Sequence, residues 1–563
     1  MGMTGDRLSG NSRVAALAAV VLAAALVGAG CGSPSSAAST EPAAVKQMAA
    51  AIVPEPVLVR AAAGVTYSIT SGTGIETQPG SAAAAQIGDY LAGLLRPSTG
   101  YPLPVQAGGS GGSAAGDGIR LLLSGAPAVV GSQGYQLDVT SAGVTIRAEQ
   151  PAGLFAGVQT LRQLLPAKSA LTTVQPGTWP VPGGHIVDYP RYGYRGAMLD
   201  VSRHFFGVAE VEQYIDEISL YKINYLHLHL SDDQGWRIAI NGWPKLTTVG
   251  ASSAAGGSTG GYFTQADYKA IVAYAQSRYI TIIPELDMPA HVDAALSAYP
   301  ELGCLATAPV PYTSIQVAGS TLCDSAATKK FVGDVIGQIA ALTPGPYVQI
   351  GGDEATATPP AVYCAIVSQT QAAVLAAGKI PIGWDGVADA PHSSKTILEY
   401  WHLPSQPADP AFFAAAQQGA KVIMAPADHA YLDQMYQPGQ ALGLDWAGFT
   451  DVGKAYDWDP TTVAPGVPAS SVLGVEAPLW TETLGTMSDL QSMAFPRLPA
   501  IAEIGWSPLS THNWASFSVR LGAQAPLWNA MGIDFYHSLE VTWQKLSQQQ
   551  QRRRGSTESR RGP

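Results

Sequence analysis

Four stretches of this chain end an apolar run in a cluster of charged side chains. They are Leu199-Asp200-Val201-Ser202-Arg203-His204, His227-Leu228-His229-Leu230-Ser231-Asp232-Asp233, Pro284-Glu285-Leu286-Asp287-Met288-Pro289-Ala290-His291 and Ile350-Gly351-Gly352-Asp353-Glu354. One such cluster alone would read as helix caps and solvated charges; four in succession point to a site. Paired carboxylates suit hydrolysis of a glycosidic bond, where one acid protonates the leaving oxygen and the other acts as base or nucleophile. Further along come Trp384, Trp401, Tyr431, Trp446 and Trp480, interleaved with Asp433 and Glu482. Sugar rings offer apolar C–H faces to aromatic rings, and their hydroxyls call for charged or bidentate partners such as Arg203. The strongest acid candidates, Asp353 and Glu354, are adjacent, and neighbours on a strand point to opposite faces. They can serve one site only if Gly351-Gly352 bends the backbone. Even then they are poorly arranged to flank one bond from opposite sides. A substrate that carries its own nucleophile removes that difficulty.

The elements that must position these groups follow a regular rhythm. Strand-like runs recur at Ala197–Val201, Ile223–Leu230, Ile280–Leu286, Tyr347–Ile350, Ile380–Gly383, Thr396–Tyr400, Val422–Met424 and Val472–Val475. Helical spacing separates several of them, at Ala209–Tyr221, Gln265–Ser277, Ala326–Leu342 and Tyr363–Ala377. Eight buried strands with interposed helices predict an α/β fold, a (β/α)8 TIM barrel over residues 187–545, with its chemistry at the C-terminal strand ends. Residues 57–186 differ. Strands at Val65–Thr70, Ile119–Leu123, Tyr135–Val139 and Val144–Ala148, with helices at Ala82–Leu95 and Gly157–Leu165, predict a small α+β domain preceding the barrel. Gly108 to Gly116 reads as a loop within it.

The ends and the cysteines bound where the protein works. Arg7 and Arg13 precede an apolar run from Val14 to Gly30 that meets Cys31, so residues 1–31 read as an export signal. Leu26-Val27-Gly28-Ala29-Gly30-Cys31 resembles a bacterial lipoprotein signal, which implies lipidation of Cys31. Plain secretion and an uncleaved anchor are the alternatives, and any membrane contact is expected only through that lipid. Residues 32–56 read as a flexible linker and 546–563, with Arg552, Arg553, Arg554, Arg560 and Arg561, as a disordered tail. A net charge of −11 without an interior basic stripe argues against nucleic acid. Cys304 and Cys323 bracket a loop containing Pro309, Pro311 and Gly319, so a disulfide is expected in an exported chain, worth about 3 kcal/mol by loop entropy. Cys364 is left single and is expected to be a small buried hydrophobe. No CxxC spacing exists, and neither a metal nor a cofactor is expected.

The run Arg195-Gly196-Ala197-Met198-Leu199-Asp200-Val201-Ser202-Arg203-His204-Phe205-Phe206, with His229-Leu230-Ser231-Asp232-Asp233-Gln234-Gly235-Trp236 and Gly351-Gly352-Asp353-Glu354, closely resembles glycoside hydrolase family 20, the β-N-acetylhexosaminidases, over about residues 135–508. The resemblance implies exo-hydrolysis of terminal N-acetylglucosamine or N-acetylgalactosamine from oligosaccharides or glycoconjugates, through an oxazolinium ion and with retention. It implies that Glu354 is the general acid and then the base, and that Asp353 holds the acetamido N–H. Tyr431 would donate to the acetamido oxygen. Trp384, Trp401 and Trp480, with Trp446, would wall the sugar, and Arg203, Asp433 and Glu482 would bind its hydroxyls. Asp232 and His291 look like partners standing behind Glu354, with negative charge there keeping the acid protonated. The chain departs from the family at Gln349 and Thr356, where His is frequent, at Ala290 and Val292, and at Gly386, where Glu is frequent; no catalytic group is lost. Two rival readings are a non-catalytic glycan-binding protein and a metal-dependent hydrolase using His227, His229 and Asp232.

Overall fold

The computed structural model describes residues 51–108, 118–305, 307–406 and 408–544. The signal segment, Cys31, the Arg-rich tail and most of the linker and of the Gly/Ser loop lie outside them. Seven strands form the first sheet: β1 (Leu58–Ile69), β2 (Ile75–Thr77), β3 (Val105–Ala107), β4 (Gly118–Leu122), β5 (Tyr135–Thr140), β6 (Gly143–Ala148) and β7 (Trp179–Asp188), in the order β1-β7-β5-β6-β4-β2-β3. Helices Ala82–Thr99 and Pro151–Leu164 share its apolar core through Ile87, Leu91, Leu95, Leu154, Val158 and Leu161. The first helix starts where the Ser81 side chain accepts from the Ala84 amide. It runs past Pro97 to end on Gly100 at φ +69°, the left-handed conformation that stops a helix.

The barrel begins with β8 (Tyr194–Asp200) and β9 (Tyr225–His229). A two-residue hairpin follows, β10 (Ser231–Asp232) against β11 (Gly235–Trp236). Then come β12 (Thr281–Glu285), β13 (Tyr347–Gln349), β14 (Ile380–Trp384), β15 (Ile397–Tyr400), β16 (Val422–Met424) and β17 (Val472–Ala477), which pairs with β8 and closes the ring. Every neighbouring pair around the ring is parallel. Strand alternation decides what fills it. Leu226, Leu228, Ile282, Val348 and Leu398 join the large core under the surrounding helices. Ile283, Ile382, Ile397 and Ile423 form a separate apolar cluster with Tyr194. One residue pair further along the same inward rows stand His227, His229, Glu285, Gln349 and Glu399, all buried. The barrel is therefore greasy at one end and ionised at the other, and the ionised end lies toward the C-terminal strand ends.

One boundary moves. The linker was expected to reach residue 56, yet Ile52 and Val53 are fully buried. Val53 donates its amide to Gln163 Oε1 and accepts from Gln163 Nε2, both at 2.8 Å. Arg520 donates to the Ile52 carbonyl at 3.0 Å, and Glu503 accepts from the Glu55 amide at 3.0 Å. This segment is short and flanked by Pro and Ala, so it carries no periodicity, but it stitches the sheet domain to the barrel. Asp188 at the end of β7 does the same from the other side, accepting from Tyr135 and from Trp506 Nε1, with Lys222 Nζ 3.6 Å away. A chain starting at Val57 should be destabilised by about 4 kcal/mol relative to one starting at Ala50, from two lost apolar side chains. Urea unfolding of the two chains measures this, and equal midpoints would mean the segment is dispensable.

Candidate active site

Every barrel strand but β14 is followed by a group that lines one cavity of about 340 Å³. After β8, the Asp200 carboxylate accepts from the Ser202 and Arg203 amides at 2.7 and 3.0 Å, folding the chain back so that the guanidinium points inward. Arg203 is held by Asp232 at 2.7 Å, Asp200 at 3.2 Å and Glu482 at 3.6 Å, and lies 4.8 Å over the Trp480 ring. Burial alone would discharge it; these carboxylates override burial and keep it cationic. The hairpin after β9 supplies Asp232, whose carboxylate also takes His229 Nε2 at 2.8 Å and His291 Nδ1 at 3.2 Å. Burial would raise its pKa, but Arg203 and His291 hold it well below the usual range. Its neighbour Asp233 accepts from Asp293 N, Ala318 N and Ser320 Oγ, fixing the loop that is closed by the Cys304–Cys323 disulfide.

The adjacent acids Asp353 and Glu354 lie on a turn rather than on a strand. β13 ends at Gln349, and the next residues take left-handed backbone at Gly351 (φ +70°), Gly352 (φ +100°) and Glu354 (φ +46°). Gln349 Oε1 accepts from the Gly351 amide at 2.7 Å and so anchors the turn. A Cβ on Gly351 would sit 1.6 Å from Asp287 Oδ1, so the turn rests directly on that carboxylate. The result swings both acids to His291, whose Nε2 lies 3.7 Å from Asp353 Oδ2 and 3.5 Å from Glu354 Oε2. Burial pushes Asp353 up to about 6 against the pull of the His291 imidazolium, with the Glu354 charge adding to the rise. His291 itself is raised well above its ordinary value: burial works the other way, and the carboxylates facing it, Asp232 foremost, win. Asp232 reaches Glu354 only through this imidazolium, and its charge is matched by Arg203.

Aromatic rings line the rest of the cavity. Trp401, Trp446, Tyr431 and Trp480 follow one another at centroid separations of 6.0, 5.9 and 6.2 Å. Trp384 stands behind this wall, almost fully buried, 5.8 Å from Trp480 and donating Nε1 to Glu285 at 2.9 Å. Glu482 pairs with Arg203, and Asp433 lies close enough to feel the Glu482 charge; burial lifts Asp433 to about 8 and Glu482 to about 7. Four buried atoms at the cavity have no hydrogen-bond partner in the protein: Asp433 Oδ1, Glu482 Oε2, Asp353 Oδ1 and His291 Nε2. Buried polar atoms are normally satisfied, so acceptors and donors left over together around one cavity match a ligand rich in hydroxyl and amide groups. His227 and His229 have both ring nitrogens bonded to carboxylates, of Glu285 and Glu476 for the first and of Glu285 and Asp232 for the second. Neither imidazole of the rival metal set has a nitrogen to spare. Cys364 is half-buried, on helix Pro360–Ala376, rather than in the core.

The cavity includes residues that the sequence argument passed over: Asp233, Asp287, Leu444, Asp445 and the rim Ile315-Gln316-Val317. Asp287 stood in plain view at the end of the third charged cluster. The rim carries no signal except its bracketing by two cysteines.

Acids on one turn, an Arg clamp and an aromatic wall at the C-terminal end of a (β/α)8 barrel define a glycoside hydrolase. Residues 192–361 and 359–509 match the catalytic domain of glycosyl hydrolase family 20, and 49–189 match domain 2 of that family. The chain is 39% identical over 494 residues to a β-N-acetylhexosaminidase of Cellulomonas fimi, spanning 88% of this chain and 97% of that one. Among solved structures, the family 20 β-N-acetylhexosaminidase of Streptomyces coelicolor A3(2) superposes with TM-score 0.85 at 51% identity, covering 88% and 99% of the two chains. The Streptomyces plicatus N-acetyl-β-hexosaminidase, in complex with Thio-NAglucal, gives 0.84 at 52%, covering 88% and 98%. The chain belongs to glycosyl hydrolase family 20, the β-N-acetylhexosaminidases.

Gly351→Ala should cut kcat/KM by about 100-fold, because the acids lose their placement by about an ångström. Far-UV circular dichroism should stay unchanged; near-normal turnover would show that the turn tolerates a side chain.

Proposed function

We propose that this glycoside hydrolase removes single N-acetylglucosamine or N-acetylgalactosamine residues from the non-reducing ends of glycans, with retention and with the substrate's acetamido group as nucleophile. One observation carries the mechanism: both acids leave the same left-handed turn and meet the same His291 nitrogen, at 3.7 and 3.5 Å. Two-carboxylate hydrolysis needs the acids on opposite sides of the bond. Here they share a side, so Glu354 can give its proton to the glycosidic oxygen while Asp353 faces a neighbouring part of the same sugar.

The acetamido oxygen attacks the anomeric carbon as the bond to the leaving oxygen breaks, and the Glu354 proton goes to that oxygen. The oxazolinium N–H donates to Asp353 Oδ1, the buried oxygen without a protein partner. Tyr431, whose hydroxyl proton is held tightly by burial, donates to the acetamido oxygen. Glu354, now a carboxylate, takes a proton from water, which adds to the anomeric carbon from the leaving-group side and restores the acetamide. Recognition of a chain end is supported by a cavity of about 340 Å³, at the small end of ligand sites. The unpaired oxygens of Asp433 and Glu482 and the Arg203 guanidinium suit the terminal hydroxyls.

Glu354→Gln should reduce hydrolysis of an aryl N-acetylglucosaminide by at least about 1000-fold without loss of fold. Asp353→Asn should cripple it comparably, and wild-type protein should leave the plain aryl glucoside intact, since that sugar has no amide. Glucoside cleavage at a similar rate would overturn assisted attack. The pH profile is a second test. Asp353 must be ionised to face the cation, and its raised pKa means the proton returns as pH falls through about 6. The value of kcat/KM, which reports the free enzyme, should therefore drop below about pH 6; a flat profile to pH 4.5 would remove Asp353 from that role.

A further inference from the structure

Asp287 has no part in the scheme above, yet the acid-bearing turn is built on it. It is 1% exposed and follows β12 by two residues. Its Oδ1 accepts from the Gly352 amide at 3.0 Å, and its own amide donates to Ser231 Oγ at 3.2 Å. One oxygen of Asp287 and one of Asp353 lie within 4.8 Å of each other and of a His291 ring nitrogen, so a single proton between the two acids would link them. Two carboxyl groups cannot hydrogen-bond without a proton between them, because neither anion has one to donate.

We propose that Asp287 is a positioning residue that works as a neutral acid, donating its proton to Asp353 so that Asp353 stays ionised with one oxygen directed at the substrate amide. This rests on the assisted mechanism proposed above. Geometry decides which partner holds the proton. Asp287 is walled in by Asp232, Glu285, His291, Asp353 and Tyr363, and among these groups only the His291 imidazolium favours its ionisation. Asp353 is 14% exposed on its side chain and faces the imidazolium across 3.7 Å. The more buried acid keeps the proton, and the acid nearer the cation gives it up. In accord with this, burial and then the Asp353 charge hold Asp287 well above the carboxylate range, further than Asp353 itself is moved. The arrangement also explains the glycine at 351: a protonated carboxyl under the turn leaves no room for a Cβ.

Asp287→Ala and Asp287→Asn separate this from a structural role, with an aryl N-acetylglucosaminide and its glucoside analogue as probes on the full chain. Wild-type selectivity for the N-acetyl sugar tests the underlying mechanism first and independently. Given that selectivity, Asp287→Ala should lower kcat by about 100-fold with little change in KM, and the acidic limb of kcat/KM should move to higher pH. The sign follows from losing a donor that stabilised the Asp353 anion. Asn keeps an N–H donor toward Asp353 and an oxygen for the Gly352 amide, so it should recover activity to within about tenfold, one good hydrogen bond's worth, with the limb near its wild-type position. If Asp287 were an anion, both variants would relieve repulsion and shift the limb to lower pH, and Asn would rescue nothing. Should the Ala variant fail to fold, the Asn variant alone decides: a limb in place supports the neutral acid, and a limb moved downward overturns it.

Discussion

A β-strand sends consecutive side chains to opposite faces, and the mechanism proposed above needs two consecutive acids on one face. That conflict is resolved by ending β13 after three residues and reversing the backbone through Gly351 and Gly352 into a left-handed Glu354. Non-glycine residues held at positive φ cost on the order of 1–3 kcal/mol, so Glu354 and His291 (φ +55°) persist only because their surroundings fix them. Gln349 grips the start of the turn, Asp287 supports its middle, and Tyr363 donates its hydroxyl to the Gly352 carbonyl at 2.7 Å. Remove that reversal and either Asp353 or Glu354 faces away from the sugar, whatever the rest of the barrel supplies.

Beneath the turn, the inward rows of the barrel carry an ionised column: Tyr194 to Glu476, Glu476 to His227, His227 to Glu285, Glu285 to His229, His229 to Asp232, and Asp232 to both Arg203 and His291. Buried charges of this kind are weak sources of stability, since desolvation offsets their attraction, but removing one member strands its partner at a cost of about 3–5 kcal/mol. The column is better understood as a means of orientation. His227 and His229 each have both nitrogens engaged, so their rings cannot turn, and Asp232 arrives at His291 from a fixed direction. Glu399, beside Glu476, shows the limit of the arrangement: burial and then the Glu476 charge push its pKa well above the carboxylate range.

The eight barrel strands were legible because their apolar runs are flanked by helical spacing, and each lies within three residues of its expected place. Strands β2 and β3 are three residues each, too short for any period to show. β7 contains Pro180, Pro182, Gly183 and Gly184, residues that argue against an inner strand. It is accommodated because the register with β1 shifts between Ala61 and Thr66, opposite Gly184 and Pro182. At the site, charged strand ends and tryptophans announced themselves by type. What did not show was depth: Trp384 reads like the other tryptophans but stands behind them, and Asp287 reads like a strand-end acid but lies underneath the turn. Depth depends on which neighbour arrives first, and that is a tertiary property.

The same depth gives the site its cost and its use. Asp433 Oδ1, Glu482 Oε2 and Asp353 Oδ1 are buried without protein partners, each giving up hydration that the folded chain does not replace. An unsatisfied buried polar group costs about 1–3 kcal/mol. A chain selected for stability alone would fill this cavity with apolar side chains, as it does in the isoleucine cluster at the other end of the barrel. Holding those oxygens open means that a sugar presenting hydroxyls and an amide at the right places gains bonds that solvent had been denied. In the proposed mechanism, a sugar lacking the amide would leave Asp353 Oδ1 unsatisfied beside a bound ring. Discrimination against it would then come from the protein's own unpaired group, acting at the atom on which the proposed mechanism depends.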